Sequence, residues 1–283
     1  MLNRTSKMVD PALSVLDLSF DYRHQFVLKN IRFSVERSTL CGLLGPNASG
    51  TTTLLKCINM GKSMTEVKRN TKNNKRFDSE GAKEYAQIAN HIFAPIYPVI
   101  ARQIMDRCKI GKGLCIDVGT GPANLAIALV KITDLKTFAM DHSWHIFSMA
   151  KENIEASSLS DRVIPVVGDV HRMPFQDNIV SLVISRGSMR FWRNKPAAFR
   201  EIHRVLLPGG KGYVGGGMGS SQLGEEINQG MIKWGKQWKK RSGNKSRKRD
   251  VAYFHEILRK AGFVHHEIIL DDSGFWVYLE KED

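Results

Sequence analysis

The chain has 283 residues, enough for one large domain or two modest ones, and its 42% hydrophobic and 25% charged content is that of a soluble globular protein. No apolar run reaches the ~18 residues of a membrane span, the N-terminus MLNRTSKMVDPALS lacks the apolar core of a secretory signal, and Cys41, Cys57, Cys108 and Cys115 form no C-x-x-C pair, which argues against a zinc cluster or disulfide framework and fits a reducing cytoplasm. The net charge of +14 brings nucleic acid, anionic membranes and acidic substrates into view, but much of it lies in two runs, Lys68–Arg76 and the acid-free Lys233–Arg249, that also read as a solvated linker and a solvated loop.

Residues 12–60 come first, and they alternate apolar and polar side chains as strands do: LSVLDLSFDY, VLKNIRFSVE and TLCGLLG, then a short helical run, TTTLLKCINM. Between strand and helix lies GPNASGTTTLLK, Gly45 to Lys56, in which Gly45, Gly50 and Thr52 match a phosphate-binding loop while Thr51 stands where its lysine belongs. With these motifs the segment resembles the first sixty or so residues of a transporter-type (ABC) ATPase domain, and the resemblance would make Tyr22 the aromatic that stacks on adenine. No glutamine loop, LSGGQ-type signature or strand ending in Asp-Glu follows, so hydrolysis lacks its lysine, its magnesium site and its water-activating carboxylate, and no ATPase activity is expected. A meander with free edges must be covered: it packs on the rest of the chain, pairs with a second copy as a homodimer, or stays partly disordered. Residues 61–78 are basic and polar and read as a linker.

From residue 79 the chain alternates strands and helices. Gly113–Val118 is a strand, NLAIALVKI a helix, KTFAMD a strand, HIFSMAKENIEA a helix, and RVIPVVGD and NIVSLVIS are strands. In PAAFREIHRVLLPGG a helical face carries Ala198, Ile202, Val205 and Leu206, with Gly209-Gly210 as its stop. KGYVGGG is a strand, 218–250 an insert, VAYFHEILRKAGF a helix, and HHEIILDDSGFWVYLEK two strands about a turn containing Asp-Ser-Gly. The expected fold is α/β, a doubly wound, seven-stranded, mostly parallel Rossmann-like sheet with a C-terminal antiparallel hairpin, after a small N-terminal β-rich segment.

Ligands of such sheets bind beyond the carboxyl ends of the strands, where strand order reverses. The first strand of this region ends in Asp117-Val-Gly119-Thr120-Gly121-Pro122, a turn whose glycines let a ligand approach the backbone. A dinucleotide fingerprint would need glycine where Asn124 stands, and Asp117 would repel a pyrophosphate but suit an ammonium group. S-adenosylmethionine (SAM) carries an ammonium and a sulfonium and no phosphate. Asp141, ending the second strand about 20 residues on, is placed to accept from ribose hydroxyls, and Asp169, beside Gly168 at the end of the third, from an adenine amino group. Each of these acids is also of a type that caps helices. Thr120 lies in the turn, Ser185 ends the fourth strand, Arg186 and Ser188 after it either face the same crevice or cap the next turn, and Tyr97 either closes over the cofactor or fills the core. His142 and His145 lack a third ligand, so no metal is expected.

Taken together in order, CIDVGTGPANLAIAL, FAMDHS, VVGDVHRMPF, LVISRGSMRFW and EIHRVLLPGGKGYVGGG resemble a class I SAM-dependent methyltransferase of the small-molecule type over residues 93–283. The resemblance implies that Asp117, Gly119 and Gly121 hold the methionine part and Asp141 the ribose, that His142 packs beside adenine, and that Asp169 and Val170 read its edge. Ala123-Asn124 departs from a glycine followed by a bulky residue. S-adenosylhomocysteine (SAH) would be the product, and the partner a small-molecule methyl acceptor. The N/D-P-P-Y box and Pro-Cys nucleophile of base-modifying members are absent; ISRGSMRF stands there, and no catalytic base is assigned. Within the insert, Ile227, Met231, Trp234 and Trp238 share a helical stripe with lysines beside it, either an apolar lid over the pocket or a surface that meets RNA through phosphates and stacking. A cytoplasmic methyltransferase and a non-catalytic SAM- or RNA-binding protein are the two readings.

Overall fold

The structure is a computed structural model and describes residues 13–22, 25–35, 79–235 and 244–282. The chain forms two compact units, Met1–Lys72 and Asn73–Asp283. In the first, β1 (Leu13–Tyr22) and β2 (Gln25–Val35) make an antiparallel hairpin with register shifts between Val15 and Asp21, in keeping with the alternating pattern of both stretches. The third expected strand, the loop Gly45 to Lys56, its helix, the 61–78 linker and the Lys68–Arg76 run lie outside the described residues, as do residues 236–243 of the second basic run, Trp238 among them.

The second unit opens with α1 (Ser79–Gln87), which runs into a π-helical turn at Ile88–Ile92. There Phe93 N–H reaches back five residues to the Ile88 carbonyl at 3.0 Å. Then come α2 (Ile96–Cys108), β3 (Lys112–Val118), α3 (Asn124–Val130), β4 (Asp134–Asp141), α4 (Trp144–Ala156), β5 (Val163–Val167) and β6 (Val180–Arg186). The chain continues through α5 (Lys195–Val205), β7 (Leu206–Gly217), α6 (Ser221–Lys233), α7 (Asn244–Lys260), β8 (His265–Asp271) and β9 (Gly274–Glu280). The seven strands from β3 onward form one sheet in the order β5-β4-β3-β6-β7-β9-β8. Its first five strands run parallel and β9 pairs antiparallel with both β7 and β8, so the expected sheet and hairpin are observed.

Central strands are apolar on both sides because both faces are covered. Val180, Leu182, Val183 and Ile184 of β6 are all fully buried. One face packs on α5 and α7 through Phe199, Ile202, Phe254 and Leu258; the other packs on α2, α3 and α6 through Ile96, Ile100, Leu129, Ile227 and Met231. Helix starts carry side-chain caps, since the first N–H groups have no partner within the helix. Ser143 serves α4, Asn194 serves α5 with Pro196 in the first turn, and Ser220 serves α6. Among the described residues no helix is long and apolar enough to cross a membrane.

Three sequence expectations need correction. The last helix, α7, begins at Asn244, inside the expected 218–250 insert, and not at Val251. The helix α5 stops at Val205, and Leu206 begins β7 instead of continuing the helical face. Pro208 explains this, because proline lacks an N–H and pushes Leu207 out of the helical region. In the insert, Ile227 and Met231 are buried as the stripe requires, but α6 ends at Lys233 and leaves Trp234 41% exposed. Gly235, at φ +76, turns the chain away in the left-handed region favoured by glycine after a helix.

Candidate functional site

Strand order reverses between β3 and β6, the two neighbours from which the chain leaves toward opposite edges of the sheet, and the turn after β3 lies at that point. Gly119 and Thr120 N–H both donate to the Met140 carbonyl, at 2.8 and 3.0 Å, which ties the turn to β4. Gly119 has φ +66 and Gly121 φ +59; a Cβ on Gly119 would stand 2.3 Å from the Ser188 side chain, and one on Gly121 3.1 Å from the Tyr85 ring. Ala123 adopts φ +66 as well, an L-residue in the conformation where the resembling family has glycine.

Asp117 is 1% exposed and accepts a 2.7 Å hydrogen bond from Thr120 Oγ1. Burial, reinforced by the charge of Asp141, pushes its carboxyl up to about 7 against the hydrogen bonds from Thr120 and the Ala126 backbone. Asp141 ends β4 and receives Gly121 N–H at 3.2 Å and Ser143 N–H at 3.0 Å, one on each oxygen. It does not cap α4, because Ser143 does. Oδ2, which receives the Gly121 N–H, keeps a second acceptor site for a ligand hydroxyl. His142 is 63% exposed at its side chain with Nδ1 3.4 Å from Asp141, whose hydrogen bond raises its pKa while partial burial opposes.

Asp169 lies two residues past β5, after Gly168, whose N–H donates to the Asp141 carbonyl at 2.9 Å. One oxygen of Asp169 accepts the His171 N–H at 3.0 Å and faces His171 Nδ1 at 2.5 Å; the other is 3.8 Å from Arg193. Burial works to raise its pKa, and the two His171 hydrogen bonds overcome it to leave the carboxyl below its ordinary value. His171 Nε2 accepts the Asn194 N–H at 3.1 Å, so its proton sits on Nδ1 and the ring links Asp169 to the start of α5. The Val170 side chain is 7% exposed and packs in the core cluster with Ile116, Val118 and Met140.

The helical segment ahead of β3 closes this end of the sheet. Tyr97 is 7% exposed, with burial the main influence raising its hydroxyl pKa and Asn124 hydrogen bonded to it. Asn90, inside the π-helical turn, exchanges amide hydrogen bonds with Asn153 of α4 at 2.9 and 3.1 Å and accepts one from Asn124 at 2.7 Å; Asn153 also donates to the Pro122 carbonyl at 2.9 Å. Across the turn, Ser185 and Ser188 face each other at 2.6 Å, and Ser188 donates to the Val118 carbonyl at 2.9 Å. The structure therefore brings Asp117, Thr120, Gly121, Asp141 and Tyr97 together around one turn. Tyr85, Asn90, Asn153 and His171 escaped sequence reasoning. The π-helical turn has no periodic signature in IANHI, while the His two residues after Asp169 was a signal in plain view.

Asp117 tests whether SAM fits. It is a buried acid whose titration no neighbouring cation governs. An ammonium group opposite it would supply the missing counter-charge, and the acids beside it offer acceptors to hydroxyls and an amine.

Doubly wound topology, a glycine turn at the switch point and acids at successive strand ends define a nucleoside-binding α/β protein. Residues 115–210 match the methyltransferase domain family. A crystal structure of a Methanococcus maripaludis protein assigned to the SAM-dependent methyltransferases is 41% identical, with a TM-score of 0.67, over 75% of this chain and 97% of its own. The chain belongs to the SAM-dependent methyltransferases. Curated relatives include the mitochondrial arginine-hydroxylase NDUFAF5 of Danio rerio, 33% identical over 40% of this chain and 33% of its own length. Demethylmenaquinone methyltransferase of Chlorobaculum tepidum is 30% identical over 35% of this chain and 38% of its own. The aligned part thus spans about a third of the length of these curated relatives.

Proposed function

We propose that the second unit transfers a methyl group from SAM to a small-molecule acceptor. The observation that carries this reading is the buried Asp117 beside the glycine turn, with Asp141 at the end of the adjoining strand β4 and Asp169 just past β5, the next strand beyond it. Asp117, with Gly119, Thr120 and Gly121, would hold the amino-acid end of SAM, Asp141 the ribose, and Asp169, Gly168 and Val170 the adenine with His142 packed beside it, while Tyr97 and Ser185 close the crevice. SAM supplies a methyl on a sulfonium, which an acceptor lone pair displaces in line while the carbon–sulfur electrons return to sulfur and any acceptor proton is lost to water. The chain's share is alignment and exclusion of water. Tyr97 and the segment Ser79–Cys108 cover the turn, and α6 lays Ile227 and Met231 on the same side.

The acceptor stays at the level of a class, because relatives named for arginine hydroxylation and for demethylmenaquinone methylation both align with part of this chain. The runner-up is a non-catalytic SAM- or RNA-binding protein that uses the acid-free Lys233–Arg249 run. RNA affinity falling steeply with salt, without methylated product, would favour it. The ABC-like reading of residues 1–60 with its degenerate loop, the absence of ATP hydrolysis, a homodimer through that segment and a cytoplasmic location belong to the same proposal. Calorimetric titration with SAM and with ATP, on the wild type and on Asp117→Ala, tests it. SAM binding that Asp117→Ala weakens, with no ATP binding, supports the proposal; ATP binding without SAM overturns it.

A further inference from the structure

Arg186 is the charged group of the crevice for which cofactor binding gives the weakest account. It ends β6, and Ile184 pairs with Asp117 across β3, so Arg186 lies on the same face of the sheet two residues, about 6.6 Å, further toward the open end. Its Nε–H donates to the Gly217 carbonyl at 3.1 Å, and Nη2 lies 3.3 Å from Met218 Sδ, a weak acceptor. The guanidinium stands 4.9 Å from the ring centre of Phe93 and 5.7 Å from that of Tyr97. Those rings are 4% and 7% exposed, so the cation is held between apolar walls with two carbonyl- or sulfur-directed bonds. Among the described residues, no carboxylate comes within ion-pair distance of Arg186. At the next residue, a Cβ added to Gly187 would meet nothing within 4 Å, so the backbone just past the end of β6 borders open room.

A half-buried cation without a counter-ion is costly and is stabilised by an anion that completes its hydrogen bonds. The planar fork of arginine matches a carboxylate or a phosphate. We propose that Arg186, with Phe93, Tyr97 and Met218, forms the acceptor subsite, and that the acceptor is a small molecule bearing a carboxylate or phosphate group. The inference rests on the SAM reading. Arg186 anchors the anionic group, Phe93 and Tyr97 flank the acceptor's apolar body, and Met218, at the junction of β7 and α6, joins the subsite to the lid. The α-carboxylate of the cofactor is the competing anion, and the experiment separates the two.

The full-length wild type, Arg186→Gln and Arg186→Lys are each titrated with SAH by calorimetry. Each SAH-saturated protein is then titrated with benzoate, inorganic phosphate and benzamide. The expected result is that wild type binds benzoate or phosphate but not benzamide, that Arg186→Gln weakens the anion about tenfold or more, and that Arg186→Lys retains part of the affinity. Benzoate alone would identify a carboxylate acceptor, and phosphate alone a phosphorylated one. SAH binding in all three proteins with no anion binding, or with anion binding indifferent to Arg186, overturns the inference and leaves the SAM reading standing. SAH binding lost in Arg186→Gln and Arg186→Lys with no anion binding in wild type places Arg186 on the cofactor and also overturns it. Absence of SAH binding from every protein overturns the SAM reading and the inference with it.

Discussion

A carboxyl 1% exposed and pushed up to about 7 is half-ionised near neutrality, so Asp117 ties stability and ligand binding to pH. Between about pH 4 and pH 7 the folded protein keeps a proton that the unfolded chain has lost, and stability therefore falls as pH rises through that window. Asp117→Asn removes the effect: relative to wild type, its urea-unfolding free energy should be higher at pH 8 than at pH 5 by a few kcal/mol, at about 1.4 kcal/mol per pH unit. A cation seated against Asp117 favours the ionised form, so SAM binding should tighten between pH 5 and pH 7, below the range in which the cofactor's own α-amino group titrates, and stay flat over that range in Asp117→Asn, as read by calorimetry. The acids themselves were legible because each follows a short apolar run by one or two residues. Their local partners were less so. That Ser143 and not Asp141 caps α4 depends on which side chain the backbone presents, and DHS offers two candidates in three residues. Ala123 shows the same limit: it departs from the expected glycine, yet keeps the left-handed φ of +66 and buries its methyl with Ala126 and Ala139. That conformation costs an L-residue roughly 1–2 kcal/mol, offset in part by about 0.8 kcal/mol for the buried methyl.

Helices and strands with a strong period were read closely, whereas the connections between distant ones were not. The β3 to β6 strands carry short apolar runs, and α5 carries a regular face; the end of α5 was misplaced, where periodicity persisted one residue past the point at which Pro208 decides, and α7 begins at Asn244, ahead of the expected Val251. The amide cluster of Asn90, Asn124 and Asn153 was invisible because Asn90 and Asn153 are 63 residues apart and neither belongs to a motif. It fastens the π-helical turn to the start of α3 and the last turn of α4, and the segment it fastens carries Tyr97. Asn90→Leu should leave partly buried amide donors of Asn124 and Asn153 short of an acceptor and cost about 1–3 kcal/mol in urea unfolding. Hydrogen exchange should then show residues 79–93 losing protection before the sheet does.

At the level of the whole chain, the two compact units differ in what they hold: every candidate cofactor residue lies in Asn73–Asp283, and the Methanococcus maripaludis structure is matched over 97% of its length by a part of this chain. Residues 73–283 produced alone should unfold in one cooperative thermal transition and bind SAM within about threefold of the full chain, less than 1 kcal/mol. An unfolded fragment would mean that the first unit completes the fold. The architecture was readable from the alternation of apolar periods, but the spatial order of the last strands was not, since a hairpin in sequence does not say which of its strands joins the sheet.

That order has a consequence for biogenesis. On a ribosome, β8 emerges before β9, yet β9 lies between β7 and β8. Until residues 274–280 have left the exit tunnel, β8 has no berth, and β7 offers an unpaired edge whose Tyr213 and Val214 end up 2% exposed or less. The nascent chain thus waits on its last strand to seal the sheet, which makes that interval its most aggregation-prone moment and the one at which a chaperone would matter most.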